Sequence, residues 1–119
     1  KDGEKKNELT YAENSFSLSA ADEKGNVAVC CSEFGGTRSV ITVFNKDGEK
    51  SCSLTVQGEP SGLDVGSKRV AITLGSELVV YNLEGEEKER FQTSSNATQV
   101  MICSGKFFTV ENGKICKYK

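Results

Sequence analysis

The sequence predicts an all-β chain of β-propeller type, three four-stranded antiparallel blades within 119 residues. Three observations predict it. The sequence repeats internally, each unit holds four short segments with apolar alternation, and Gly-containing turns separate those segments. No stretch shows sustained helical periodicity.

The repeat comes first because it sets the boundaries. "VFNKDGEK" (Val43–Lys50) aligns with "VYNLEGEE" (Val80–Glu87) at an offset of 37. "RVAITL" (Arg69–Leu74) aligns with "KFFTVE" (Lys106–Glu111), and "VVY" (Val79–Tyr81) with "CKY" (Cys116–Tyr118), at the same offset. Backwards, "KDGEKSCSLTV" (Lys46–Val56) aligns with "KDGEKKNELTY" (Lys1–Tyr11) at an offset of 45. The units are therefore 1–45, 46–82 and 83–119, of 45, 37 and 37 residues. The first is longer because "SEFGGTRS" (Ser32–Ser39) stands where the second unit has only "GSE" (Gly75–Glu77).

Within the second unit the strands are "SCSLTV", "PSGLDV", "RVAITL" and "ELVVYN". β-Branched residues and alternation mark them, while "GSK", "GSE", "KDGE" and "LEGE" supply the turns. Asp-Gly between alternating segments is a hairpin tip, because Gly adopts positive φ at little cost. "NKDGE" offers too few carboxylates at alternate positions for a calcium loop. The single proline, Pro60, falls at a strand start, where a missing N–H is tolerated. Four short strands every 37–45 residues are the signature of a propeller blade. The chain has neither Trp nor His, which argues against the WD-repeat type.

Composition excludes several functions. Fifteen basic and 17 acidic residues give a net charge of −2, so no footprint for nucleic acid or anionic lipid appears. No apolar run approaches the roughly 18–20 residues that span a bilayer. The five cysteines are Cys30, Cys31, Cys52, Cys103 and Cys116; an odd number forbids a fully paired disulfide framework. No C-x-x-C occurs, and Cys30 and Cys31 on one strand would point to opposite faces, so no metal site and no cofactor are expected. These thiols read as small buried hydrophobes. Without histidine there is no Ser-His or Cys-His pair, and "FGGT" lacks the Gly-Lys-Ser/Thr ending of a phosphate loop. Paired acids such as Asp22–Glu23 and Glu86–Glu87 read as surface turns. "NAT" (Asn96–Thr98) matches a glycosylation sequon, a short pattern that chance also supplies.

The phase of the repeat carries its own expectation. The sequence opens with a turn and an outer-strand pattern and closes just before the same point. In a ring such an offset lets one terminus complete the blade begun by the other. Three blades are fewer than the roughly four to eight of closed propellers. Two chains closing head to tail into a six-bladed ring, or further blades in a longer chain, would resolve this.

The stretch Ser17–Lys50 resembles a family of uncharacterised, membrane-anchored propeller-like proteins of Gram-positive gut bacteria, carried as a domain of unknown function. Its pattern is a strand around "GNVAV" (Gly25–Val29), a Gly-containing loop (Gly35–Gly36), and a strand closing on an aromatic-Asn-x-x-Gly turn (Phe44–Gly48). The resemblance implies an extracytoplasmic, cell-surface domain behind a single N-terminal membrane helix, which this sequence lacks. It implies no catalytic residues.

Candidate binding residues are Phe34 and Arg38, on the longest irregular segment, and Asp64. The inner, channel-lining strands would be "FSLSAA", "SGLDV" and "TQVMIC", in which Asp64 is the sole charge. One acid is thin material for catalysis. The expected function is a non-enzymatic binding or interaction module, presenting loops to a protein or glycan outside the cell. The alternative is a small-molecule binder or enzyme with its site at the central channel; a purely structural spacer is the third reading.

Overall fold

Asn45–Glu49 shows how the repeated tip folds. Asn45 Oδ1 accepts hydrogen bonds from the N–H groups of Asp47 (2.9 Å) and Glu49 (3.0 Å), and Asn45 N–H donates to Glu49 O (2.8 Å). Gly48 takes φ 79°, the left-handed conformation that glycine enters without a Cβ clash. Asn82–Glu86 repeats every one of these bonds, with Gly85 at φ 91°. Asp22–Asn26 builds the same turn with an aspartate in the first place and Gly25 at φ 92°. Burial opposes the Asp22 charge, but hydrogen bonds from Asn26, Lys24 and Gly25 outweigh it and hold the carboxyl below the ordinary range.

The computed structural model describes residues 14–33, 37–94 and 97–119; Lys1–Tyr11, Phe34 and Asn96 lie outside them. Eleven strands form three antiparallel sheets. The first blade has β1 (Asn14–Ala21), β2 (Val27–Glu33), β3 (Arg38–Phe44) and β4 (Lys50–Gln57), in that spatial order. The second has β5 (Gly62–Gly66), β6 (Arg69–Leu74), β7 (Glu77–Asn82) and β8 (Glu87–Gln92). The third holds β9 (Ala97–Cys103), β10 (Lys106–Glu111) and β11 (Lys114–Tyr118). Neighbours in each sheet are consecutive in sequence, so each blade is a meander. The second and third repeats each open with the outermost strand of the blade before: β4 starts the second unit and β8 the third. Pro60 stands in the β4–β5 connection, two residues before the strand.

The second blade lies between the other two, and its side chains divide by parity. Val70, Ile72 and Val79 face the first blade and join Cys30, Ile41, Val43 and Leu54 in one core. Ala71, Leu78 and Val80 face the third blade and pack with Val100 and Phe107. Neither face meets water in the middle of β6 (Val70–Thr73) or β7 (Leu78–Val80), which is why both read as continuous apolar runs. Each buried aliphatic there contributes about 1.5–3 kcal/mol relative to exposure.

The outward faces of the first and third blades differ from this. On the third blade, Met101 is 39% and Ile115 73% exposed, with Phe108 and Val110 half-buried beside them. On the first, Phe16 is 62% exposed and Val29 and Val40 are half-buried, while Cys31 and Thr42 on the same face are buried. The cysteines are free: Cys30 and Cys31 are buried, Cys52 and Cys116 half-buried, and Cys103 exposed. Burial raises the pKa of Cys30, Cys31 and Cys52, so these thiols stay protonated. Among the described residues no helix is long and apolar enough to cross a membrane.

Candidate functional site

The inner strands β1, β5 and β9 end together, and the turns that follow them enclose a basin of about 590 Å³. Its wall is the Asp22–Asn26 turn from the first blade, Asp64–Lys68 from the second, and Ile102–Ser104 from the third. One structural position, the link from first to second strand, thus contributes from every blade.

Asp64 stands in this wall, on the inner strand where the sequence places it. Its carboxylate is not free. Oδ2 accepts the Ile102 N–H of β9 at 2.7 Å, and Oδ1 accepts the N–H of the next residue, Val65, at 2.9 Å. The acid therefore ties the inner strand of the second blade to that of the third. Two further bonds strengthen the seam. Ser61 Oγ donates to Ala97 O (2.8 Å) and sits 2.9 Å from Thr73 Oγ1, and Ser67 Oγ accepts from Gly105 N–H at 3.2 Å. Gly62 permits the approach: a Cβ there would lie 2.7 Å from Thr73 Oγ1 and 2.9 Å from Val100 N.

The turns at the mouth are short and held open against local preference. Ser67 and Lys68 both take positive φ (51° and 62°), forming a two-residue link between Gly66 and Arg69. Left-handed conformation costs a non-glycine residue roughly 1–2 kcal/mol. The third blade has Ser104 (φ 53°) and Gly105 (φ 77°) in the same place. Lys68 lines the basin and also borders a second concavity of about 480 Å³. Arg69, Lys88 and Lys119 line that groove with Glu89, and buried Phe107 lies against it. None of these four cations makes an ion pair with a described carboxylate.

The other sequence candidates lie elsewhere. Arg38 begins β3, opposite Gln57, at the end of the first blade away from the Asp22 turn, and is exposed. Phe34 is outside the described residues. Arg38 and Asp64 therefore form no common site. Among the described residues no group of three His, Cys, Asp or Glu side chains stands close enough to hold a metal ion.

Sequence reasoning missed a buried carboxylate in the third blade. Glu111 is 6% exposed and accepts hydrogen bonds from Thr109 Oγ1, Tyr118 OH (2.6 Å) and Ser94 N–H (2.9 Å). Burial opposes its charge, but the three donors outweigh it and hold the carboxyl at about 2. Burial, together with the Glu111 charge, pushes the Tyr118 hydroxyl up to about 12. Glu111 lies outside the basin wall and fastens β10 and β11 to the β8–β9 connection. Its one signal in sequence is an acid in a strand-like segment, "KFFTVE", where the matching "RVAITL" has Leu74.

No curated protein matches the chain. Among solved structures it is similar to BamB from Moraxella catarrhalis, with 16% identity and a TM-score of 0.56, over 83% of this chain and 29% of that one. It is also similar to a protein of unknown function from Bacteroides caccae, with 13% identity and a TM-score of 0.57, over 92% of this chain and 48% of that one. The chain thus spans less than half the length of either structure. At these identities the likeness shows the fold, which is of β-propeller type as the sequence predicts. The profile of a family of unknown function (DUF5711) matches residues 1–119, and the chain belongs to that family.

Proposed function

We propose that the chain is a non-catalytic binding module that receives an acidic segment of a protein partner in the groove of Lys68, Arg69, Lys88 and Lys119, beside the mouth of its inner strands. The observation that carries the reading is the use made of Asp64. Each oxygen of the acid on the inner strands accepts a backbone N–H, so the acid serves to hold two blades together. What the mouth presents instead is a rigid polar rim. From Lys68 that rim continues into the groove of Arg69, Lys88 and Lys119, which suits carboxylates more than cations. The resemblance of Ser17–Lys50 to membrane-anchored propeller-like proteins supports a place outside the cytoplasm.

The test is a titration of the ¹⁵N-labelled chain with a synthetic oligoglutamate peptide, with a neutral oligosaccharide of similar length as the comparison. Saturable shifts at the amides of Ser67, Lys68, Arg69 and Ser104 with the peptide, lost in Lys68→Glu, are expected. Shifts with the oligosaccharide alone would move the reading to a glycan. Movement spread evenly over the surface with either probe overturns it.

A further inference from the structure

We infer that the outer edge of the first blade is an interface, at which β4 of one copy pairs antiparallel with β4 of a second copy around a two-fold axis through Leu54. This is independent of the binding reading. The argument begins with two strands in the same place. β4 and β8 are the outermost strands of the first and second blades, and among the described residues nothing pairs with the outer side of either. Such an edge presents a row of N–H and C=O groups and takes up other strands unless something prevents it.

The second blade prevents it. Glu87, Lys88, Glu89 and Arg90 stand in succession along β8, all exposed, and Arg90 is tied to Glu77 and Glu87 by ion pairs. A strand added there would strip water from those charges. β4 has the opposite character. From Ser51 to Gln57 it carries no charge, no proline and no glycine, and it has 8 residues against 6 in β8. Ser51, Ser53, Thr55 and Gln57 are exposed on one face, while Leu54 and Val56 on the other are buried in the core shared with the second blade. Both strands shift register near their tips, so a bulge does not distinguish the two edges. Charge does.

The occupant is a second copy because the run matches itself. With Leu54 on the axis, Ser53 lies opposite the partner's Thr55, and Ser51 opposite the partner's Gln57. On the other face Cys52 lies opposite the partner's Val56. Hydroxyl pairs of this kind hydrogen-bond across an antiparallel ladder, and no like charges meet within the run. The β8 edge of another copy fits worse, since its four successive charges would face a strand with none. One self-complementary contact satisfies both β4 edges, so the assembly closes at two chains.

Light scattering of the 119-residue chain across a concentration series, read together with amide hydrogen exchange, tests this. A mass approaching twice 12.9 kDa is expected, with exchange in Cys52–Gln57 slowing as concentration rises and exchange in Glu87–Gln92 unchanged. Ser53→Lys and Thr55→Lys together set lysines opposite each other at exposed positions. They should raise the dimer dissociation constant by at least about tenfold with an unchanged circular-dichroism spectrum. Mixing Ser53→Lys chains with Thr55→Glu chains should restore the pair, and this mixture decides even if the double variant unfolds. A monomer at every concentration overturns the inference, as does a dimer that the double variant leaves intact. So does a monomer whose β4 amides slow only when a synthetic Ser/Thr/Val peptide is added, which would give the edge to a strand from another protein.

Discussion

The second and third blades carry the same repeat and come to opposite solutions. In the second, Ile72, Leu74 and Tyr81 feed an apolar core against the first blade. In the third, the counterparts are Thr109, Glu111 and Tyr118, and they form a hydrogen-bonded cluster. At the inner strand, Gly62 and Asp64 of the second blade meet β9 closely; their counterparts, Gln99 and Met101, are exposed. The strand pattern is thus a property of the repeat, while the identity of a side chain follows from what stands next to its blade. A middle blade needs two apolar faces and a backbone thin enough to be approached.

The comparison breaks most visibly at Leu78 and Ile115. Leu78→Ala should destabilise the chain by about 2–5 kcal/mol, since it opens a cavity between two blades. Ile115→Ala should change the stability of the dilute chain by no more than about 0.5 kcal/mol. Urea unfolding of both variants checks this, and equal losses would mean the third blade's outer face is not bare.

Gly62→Ala should come next, at about 1–3 kcal/mol, because the neighbours its Cβ would strike include the Val100 backbone, which cannot swing aside. The counterpart change, Gln99→Ala, should be silent. If thermal melting shows Gly62→Ala equally silent, the two inner strands are not in contact.

The smallest effect belongs to Tyr118→Phe, about 0.5–1.5 kcal/mol, since the half-buried hydroxyl is one of three donors and Glu111 keeps the other two. Its value lies in the pH dependence. Glu111 titrates at about 2 when folded against an ordinary 4.5. Its contribution is therefore complete above about 4.5 and disappears as pH falls towards about 2. Removing the Tyr118 donor raises the folded pKa and shrinks that contribution, so the acid-unfolding midpoint should move to higher pH. An acid titration followed by circular dichroism reads it directly, and coincident curves for variant and parent would remove Glu111 from the account.

Much of the architecture was legible before any coordinates. The offset of 37 and the Asn-x-x-Gly-Glu tips gave the meander because those turns depend on bonds within five residues. Asp22–Glu23, read as a surface turn, is one. Asp64 was legible as an inner-strand charge, but its partner, the Ile102 N–H, is 38 residues away and leaves no local pattern. "GSK" was legible as a turn; that Ser67 and Lys68 both hold positive φ was not, since serine and lysine do not favour it. Glu111 was hidden for a similar reason. An acid in a strand reads as solvent-facing until Ser94, 17 residues away, is found to supply its N–H.

The three Gly-containing tips have one more consequence. Each draws its turn-closing hydrogen bonds from its own five residues, and the Gly85 tip also sits close against another blade, at Leu54 and Cys52. A hairpin bounded by such tips can be duplicated whole, as a cassette, and the new copy closes its own bends on arrival. What it must then acquire are the contacts between blades, the Gly62 clearance and the Asp64 tether, and these are where the two later units differ.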